Sequence, residues 1–397
     1  MRTARRLHGI PPTIFSEMSV LAAASGALNL GQGFPDVDGA PEIIEEAVSA
    51  LRSGRNQYAP GPGIPALREA VAAHQERHYG LAFDPAREVA ATTGATEGIA
   101  AAILALVDPG DEVILVEPYY DSYPAMVQFA GGVRRPVTLS LDPTAPGGRL
   151  PRAALEAQVS SKSKVLILNS PHNPTGTVLT HEELETVAAF ARDHDLTVIS
   201  DEVYEHLTFD GIPHIPIATL PGMRERTLTL SSIGKSYSFT GWKIGWATGP
   251  EPLVQALLGA KQWLTFTSGA PLQPAAAYAL EHLDHWPQEL ALDLQGRRDL
   301  LCAGLKEIGL DVTIPEGTYF AVSDIADLGW SDGLEFCRAL PERAGVVAIP
   351  LQGFYDPSTG SGHRGDAGKH LVRWTFTKQR DVIEAALERL GKGQLAR

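Results

Sequence analysis

The run "KVLILNSPHNPTGTVLTHEELETVAAFARDHDLTVISDE", Lys164 to Glu202, carries the architecture of this chain. "KVLILNS" opens it as a short, continuously apolar strand bounded by turn formers. "PHNPTG" then turns the chain, because proline fixes φ and glycine admits φ > 0. "THEELETVAAFARDHD" follows as a helix, and Thr180 with Glu183 makes a capping box at its start. "LTVIS" is a second short apolar strand. Short unbroken apolar strands separated by helices predict a parallel sheet covered on both faces.

The pattern continues on either side. "TEGIAAAILALV" is an apolar helix former, "DPGDE" a turn and "VILVE" another strand, while "TLTLSS" is a fourth strand further on. Toward the C-terminus, "TIPEGTYFAVSDI" and "HLVRWTFTK" read as strands of a different, antiparallel sheet. The expected class is α/β, a large domain with a mostly parallel sheet between helices plus a smaller α+β domain. The expected division is 1–41 as an N-terminal arm joined to the small domain, 42–290 as the large domain and 291–397 as the small one. "DPSTGSGHRGDAG", Asp356 to Gly368, is expected to be a mobile loop.

Composition narrows the function. The 397 residues are 44% hydrophobic and 20% charged, an ordinary globular balance. A net charge of −14 opposes nucleic-acid binding, which calls for a basic face. The two cysteines, Cys302 and Cys337, sit in no CxxC or Cys/His cluster, so neither a disulfide framework nor a metal site is expected. "MRTARRLHGIPP" leads into no apolar signal core, and no run approaches 18 apolar residues, so the expected setting is the cytoplasm, away from membranes.

In parallel sheets ligands gather beyond the carboxyl ends of the strands. There "VILVE" runs into Pro118-Tyr119-Tyr120, "KVLILNS" into "PHNPTG", "LTVIS" into Asp201-Glu202, and "TLTLSS" into "SSIGKSYSFTGWKIGW" with Lys235 and Lys243. Singly, each has a structural explanation. "NPTG" is a good turn, Asp201 a possible helix cap, Tyr58 a loop aromatic on prolines, and Arg373 a residue that snorkels or pairs with an acid; His172 and Cys302 are read as structural. Together they form a set. "TTGATEG" before a helix aims free N–H groups at an anion, and Ser232 and Lys243 add to that phosphate cradle. A lysine, a carboxylate, Tyr204 and an asparagine complete what pyridoxal phosphate requires of a protein.

"NSPHNPTG", "SDEVYEHLTFDG" and "SSIGKSYSFTGWKIGWATGP", with "NLGQGFPD", "NQYAPGPG", "EPYYDSY", "GTYF" and "LVRWTF", resemble the class I/II aminotransferases of pyridoxal phosphate fold type I, from about residue 13 to about 390. The likeness is to the kynurenine, glutamine and methionine aminotransferase branch and to actinobacterial N-succinyldiaminopimelate aminotransferases. It implies Lys235 as the Schiff-base lysine, Asp201 as the partner of the pyridine nitrogen, and Tyr204 and Asn173 on the cofactor's phenolic oxygen. It implies Tyr119 stacked on the ring, Ala95, Thr96, Ser232 and Lys243 at the phosphate, and Tyr58 reaching the phosphate of a neighbouring subunit in a homodimer. It implies Arg373 on the substrate α-carboxylate, helped by Asn173 and the backbone of Gly33. Lys243 stands where many members carry arginine, and Gly234 where others carry a hydroxyl residue. By rough position, Phe15, Tyr120, Phe354 and Tyr355 line an aromatic pocket, and Lys261, Arg134 and Arg364 are the extra cations on offer for a distant carboxylate. The implied partners are an amino acid and a 2-oxo acid, 2-oxoglutarate by analogy. A β-lyase on the same residues and a noncatalytic regulator are the competing expectations.

Overall fold

The computed structural model describes residues 4–9, 13–356 and 368–397. Seven strands form the main sheet: β1 (Val89–Thr92), β2 (Glu112–Glu117), β3 (Val133–Thr138), β4 (Ser163–Asn169), β5 (Thr197–Asp201), β6 (Thr227–Ser232) and β7 (Gly245–Thr248). Their spatial order is β1-β7-β6-β5-β4-β2-β3, and β7 runs antiparallel to both its neighbours while the other pairs are parallel. The four strands expected from sequence are β2, β4, β5 and β6; β1, β3 and β7 add three that the apolar-run criterion passes over. Val133–Thr138 holds two arginines and a proline, and "VAAT" and "GWAT" are only four residues long.

Both faces of this sheet are covered, as predicted. Successive residues alternate: Val113, Leu115, Val165, Ile167 and Ile199 pack on one side, Ile114, Val116, Leu166, Leu168 and Val198 on the other. Each such side chain, fully buried, contributes about 1.5–3 kcal/mol. The helices that matter for the site are α1 (Ile14–Ser25), α2 (Pro65–Tyr79), α3 (Gly94–Leu106), α4 (His181–Asp193), α5 (Glu251–Lys261) and α6 (His285–Glu307). The capping box on α4 forms as expected, with Thr180 and Glu183 bonding each other's backbone.

A second sheet, β8 (Asp311–Thr313), β9 (Phe320–Asp324), β10 (Ile349–Pro350) and β11 (Leu371–Thr375), is antiparallel in the order β10-β11-β9-β8. Leu28–Asn29 pairs in parallel with Val346–Val347, which ties the N-terminal segment to the C-terminal third. α1, through Met18 and Ala22, joins the same core as Val322, Trp374 and Ile383. The expected boundary at 290/291 falls inside one continuous helix, α6. Of the expected loop at Asp356–Gly368, residues 357–367 lie outside the described residues.

Candidate active site

Register puts Asn169, the last residue of β4, beside Asp201, the last of β5, with Leu230 of β6 opposite Asp201. The carboxyl edge of the sheet therefore presents an amide and an acid side by side, and Ser232 and Lys235 follow at the end of β6. A cavity of about 150 Å³ opens there, lined among others by Ala95, Thr96, Tyr120, Asn173, Asp201, Tyr204, Ser232, Lys235 and Lys243.

Close backbone approach builds one end of it. A Cβ on Gly98 would stand 2.8 Å from Leu230 Cδ2, and one on Gly245 would stand 3.0 Å from Gly94 Cα, so glycines let α3 lie directly on β6 and β7. The first turn of α3 has no side-chain cap from Thr93, and its residues Gly94, Ala95 and Thr96 line the cavity, where a helix N-terminus favours an anion. Ser232 and the Lys243 ammonium face the same point; Nζ lies about 3.2 Å from where a Gly94 Cβ would be. Burial, and then the charge of Lys235, hold the Lys243 ammonium below its usual pKa. An anion between these groups relieves that repulsion.

The other end is acidic and buried. Asp201 is only 5% exposed; its Oδ2 accepts from the Tyr123 hydroxyl at 2.6 Å and its Oδ1 from the Val203 N–H at 3.3 Å. Burial raises its pKa, opposed by Tyr123, Val203 and Lys235, so a cation set against this carboxyl favours its ionised form. Between the two ends the Lys235 ammonium donates to the Tyr319 hydroxyl at 2.9 Å, and that hydroxyl donates to the Gly33 carbonyl at 2.6 Å. Tyr319 was not expected at the site. Its signal lay in "GTYF", which opens β9 after Thr318, a β-branched residue held at φ 67°. Ser238 at φ 61° and Lys243 at φ 57° are strained in the same way.

A second, more open cavity adjoins the first and is lined by Phe15, Gln32, Gly33, Phe34, Phe320 and Arg373, with Tyr120, Asn173, Tyr204 and Lys235 common to both. Arg373 is 1% exposed. It donates from one terminal nitrogen to Asn173 Oδ1 and from the other to the Gly31 carbonyl, both at 2.9 Å, and lies 3.8 Å from the centroid of the Phe320 ring. Its Nε has no partner, and among the described residues no carboxylate pairs with it; Asp121 acts only through space. Burial pushes this guanidinium down to about 10. A buried, unpaired cation is costly, and a carboxylate ligand supplies the missing charge.

Several expected residues lie elsewhere. Tyr119 does not line either cavity: it is buried beneath the sheet edge, its N–H bonded to the Phe354 carbonyl and its hydroxyl turned to Asp356. Tyr120 takes the cavity wall instead, with its hydroxyl at Thr96. Adjacent residues leaving a strand point opposite ways, so the register was off by one. Tyr58 is 82% exposed and edge-on to Phe266, away from this chain's own cavities. Phe354 packs edge-on behind Phe15, and Tyr355 lines neither cavity. Lys261 is buried on the carbonyls of Gly61 and Phe266, Arg134 pairs with Asp356, and Arg364 lies outside the described residues. His172 is buried on Thr175 and Cys302 in the core, structural in both cases.

The donor set fits pyridoxal phosphate: an anion cradle at a helix N-terminus, a primary amine, a buried carboxylate opposite, and a buried guanidinium with no carboxylate partner among the described residues. Over residues 25–390 the chain matches the family described as aminotransferase class I and II. It is 50% identical over 389 residues to the probable N-succinyldiaminopimelate aminotransferase DapC of Mycobacterium tuberculosis, covering 98% of each chain. The solved structure of that organism's N-succinyldiaminopimelate aminotransferase superposes with a TM-score of 0.94, covering 98% of this chain and 100% of that one. The methionine aminotransferase of Escherichia coli is 39% identical, with 97% of each chain covered. The chain belongs to the class I and II aminotransferases, enzymes that use pyridoxal phosphate to move amino groups.

Proposed function

We propose that this aminotransferase acts on N-succinyl-LL-2,6-diaminopimelate, passing its amino group to 2-oxoglutarate in two half-reactions. The similarity to the mycobacterial enzyme, at 50% identity over nearly the whole of both chains, carries the choice of donor. When bound, pyridoxal phosphate supplies an aldehyde carbon that bonds amines and a ring that withdraws electrons. The chain's own groups do the rest. Arg373 grips the substrate α-carboxylate with Asn173 and the Gly33 backbone beside it, which fixes the Cα–H bond relative to Lys235. With the cofactor bound, Lys235 Nζ would be the group that takes up and returns the substrate Cα proton, and Tyr319, bonded to that nitrogen at 2.9 Å, would hold it in place. Asp201, buried and bonded to Tyr123, would set its charge against the ring nitrogen. Tyr204 and Asn173 would bond the ring oxygen, Tyr120 would cover the ring, and Ala95, Thr96, Ser232 and Lys243 would hold the phosphate.

The aromatic wall of the outer cavity, Phe15, Phe34, Tyr120 and Phe320, supports a second reading, a kynurenine- or methionine-type donor with a long uncharged side chain. A donor panel separates them: if methionine or kynurenine exceeds the succinylated substrate in kcat/KM by more than about a hundredfold, the first reading falls. Lys235→Ala is expected to abolish transfer; normal turnover in that variant refutes the residue assignment.

We also infer a cytoplasmic homodimer, with the three-part domain division given by the sequence. Tyr58 at 82%, Trp263 at 83% and Phe266 at 55% exposure leave aromatic surface for a second copy, and Tyr58 is free to reach that copy's phosphate cradle. A light-scattering mass of one active chain would contradict the dimer.

A further inference from the structure

Behind the β5 edge, on the far side of the segment that carries Tyr204, lies a group of imidazoles that the reaction does not use. α2 presents His74 and His78 one turn apart, on one face. His206 arrives from the chain after β5, 132 residues beyond His74. One ring nitrogen from each lies within 4.8 Å of the other two. Ring centroids are 4.5 Å apart for His74 and His78, 4.9 Å for His74 and His206, and 5.0 Å for His78 and His206. Two nitrogens, His74 Nε2 and His206 Nε2, stand 2.7 Å apart, so in the metal-free chain a single proton is shared across that gap.

We propose that His74, His78 and His206 form a three-imidazole site for a divalent first-row cation, zinc foremost, with the fourth position open to water beside His78. Three neutral imidazoles with one vacant place is a familiar zinc set, and imidazole also suits copper, nickel and cobalt. Surrounding groups orient the ligands as metal-binding histidines require. Asp284 Oδ1 lies 3.4 Å from His78 Nε2, and Asp284 is itself held by Arg77 at 2.7 Å. The buried Gln75 amide lies 3.4 Å from His74 Nδ1, while its Oε1 has no partner. With the amide turned over, Oε1 accepts from Nδ1–H and leaves His74 Nε2 as a bare lone pair. Access is through His78, whose side chain is 24% exposed. Bonds of about 2.0–2.1 Å in tetrahedral geometry put ligand nitrogens roughly 3.3 Å apart, so the 2.7 Å pair must open slightly as the shared proton leaves. The bound ion would pin α2 to the segment that supports Tyr204 and Asp201. A search by Cys/His spacing misses such a site because its third ligand is remote in sequence.

The test uses the pyridoxal-phosphate-loaded enzyme, stripped with a chelator and desalted. Cobalt(II) is titrated by its visible absorption, zinc by calorimetry, and melting temperature is read with and without zinc. The expected result is one ion per chain, cobalt bands of tetrahedral intensity, and a higher melting temperature with zinc. His78→Ala, at the partly exposed ligand, should fold normally, bind at least about tenfold more weakly and lose the zinc-dependent rise. His206→Asn should do the same. Absence of binding to the stripped wild type, or binding that His78→Ala and His206→Asn leave unchanged, overturns the site and assigns any uptake to surface histidines.

Discussion

Replacing Arg373 by methionine pits the two halves of its environment against each other. The guanidinium is buried with no carboxylate partner among the described residues and held down at about 10, well below its ordinary value. At about 1.4 kcal/mol per unit this amounts to about 3 kcal/mol of unfavourable burial that methionine removes. Methionine also leaves Asn173 Oδ1 and the Gly31 carbonyl without their 2.9 Å donors, at about 1–2 kcal/mol each. The two effects nearly cancel, and the flexible thioether still packs between Phe320 and Phe15. Melting temperature should therefore move by only a few degrees. Activity should not survive so well: losing a two-pronged bond to the substrate carboxylate removes about 3–4 kcal/mol of transition-state binding, a fall of about 10²–10³ in kcat/KM. The assay pairs steady-state kinetics on the amino donor with calorimetric melting and the absorption spectrum of the bound cofactor, which should be unchanged. If kcat/KM stays within tenfold of wild type, or if melting collapses in step with activity, Arg373 is a structural residue and the carboxylate site lies elsewhere.

Three further outcomes follow from the same geometry. Tyr319→Phe removes the 2.9 Å acceptor of Lys235 and should lower kcat about tenfold or more, in line with about 1.5–3 kcal/mol for a bond to a charged group, with melting little changed; a kcat within twofold of wild type removes Tyr319 from the site. Asp201→Asn keeps the shape and an acceptor for Tyr123 but loses the charge, and should cost at least about a hundredfold in kcat; a loss below about tenfold, or about 1.4 kcal/mol, means another group holds the ring nitrogen. His172 is pushed down to about 3 by burial, against an ordinary 6.5. Below 6.5 the unfolded chain takes up a proton that the folded chain refuses, so stability is full above 6.5 and falls toward pH 3 by up to about 1.4 kcal/mol per pH unit. His172→Gln should flatten that slope in urea melts at pH 7 and pH 4.5, and equal slopes would show that other groups set the acid limit.

The strand–helix–strand run from Lys164 to Glu202 was legible because its signals are local: apolar runs, a Pro-Gly turn and a capping box lie within hydrogen-bonding reach along the chain. Lys235, Asp201 and Lys243 were legible for a related reason, since parallel strands deliver whatever follows them to a common edge. Tertiary packing settled the rest. Which of Tyr119 and Tyr120 faces the cavity depended on a backbone bond to Phe354, far away in sequence. Tyr319 meets Lys235 across 84 residues and Arg373 meets Asn173 across 200, because the antiparallel sheet folds back over the parallel one. The lone charge of Arg373 and the gathering of His74, His78 and His206 are likewise properties of burial and proximity. Periodicity along a chain records which way a side chain faces, and only the closed fold determines what stands opposite it.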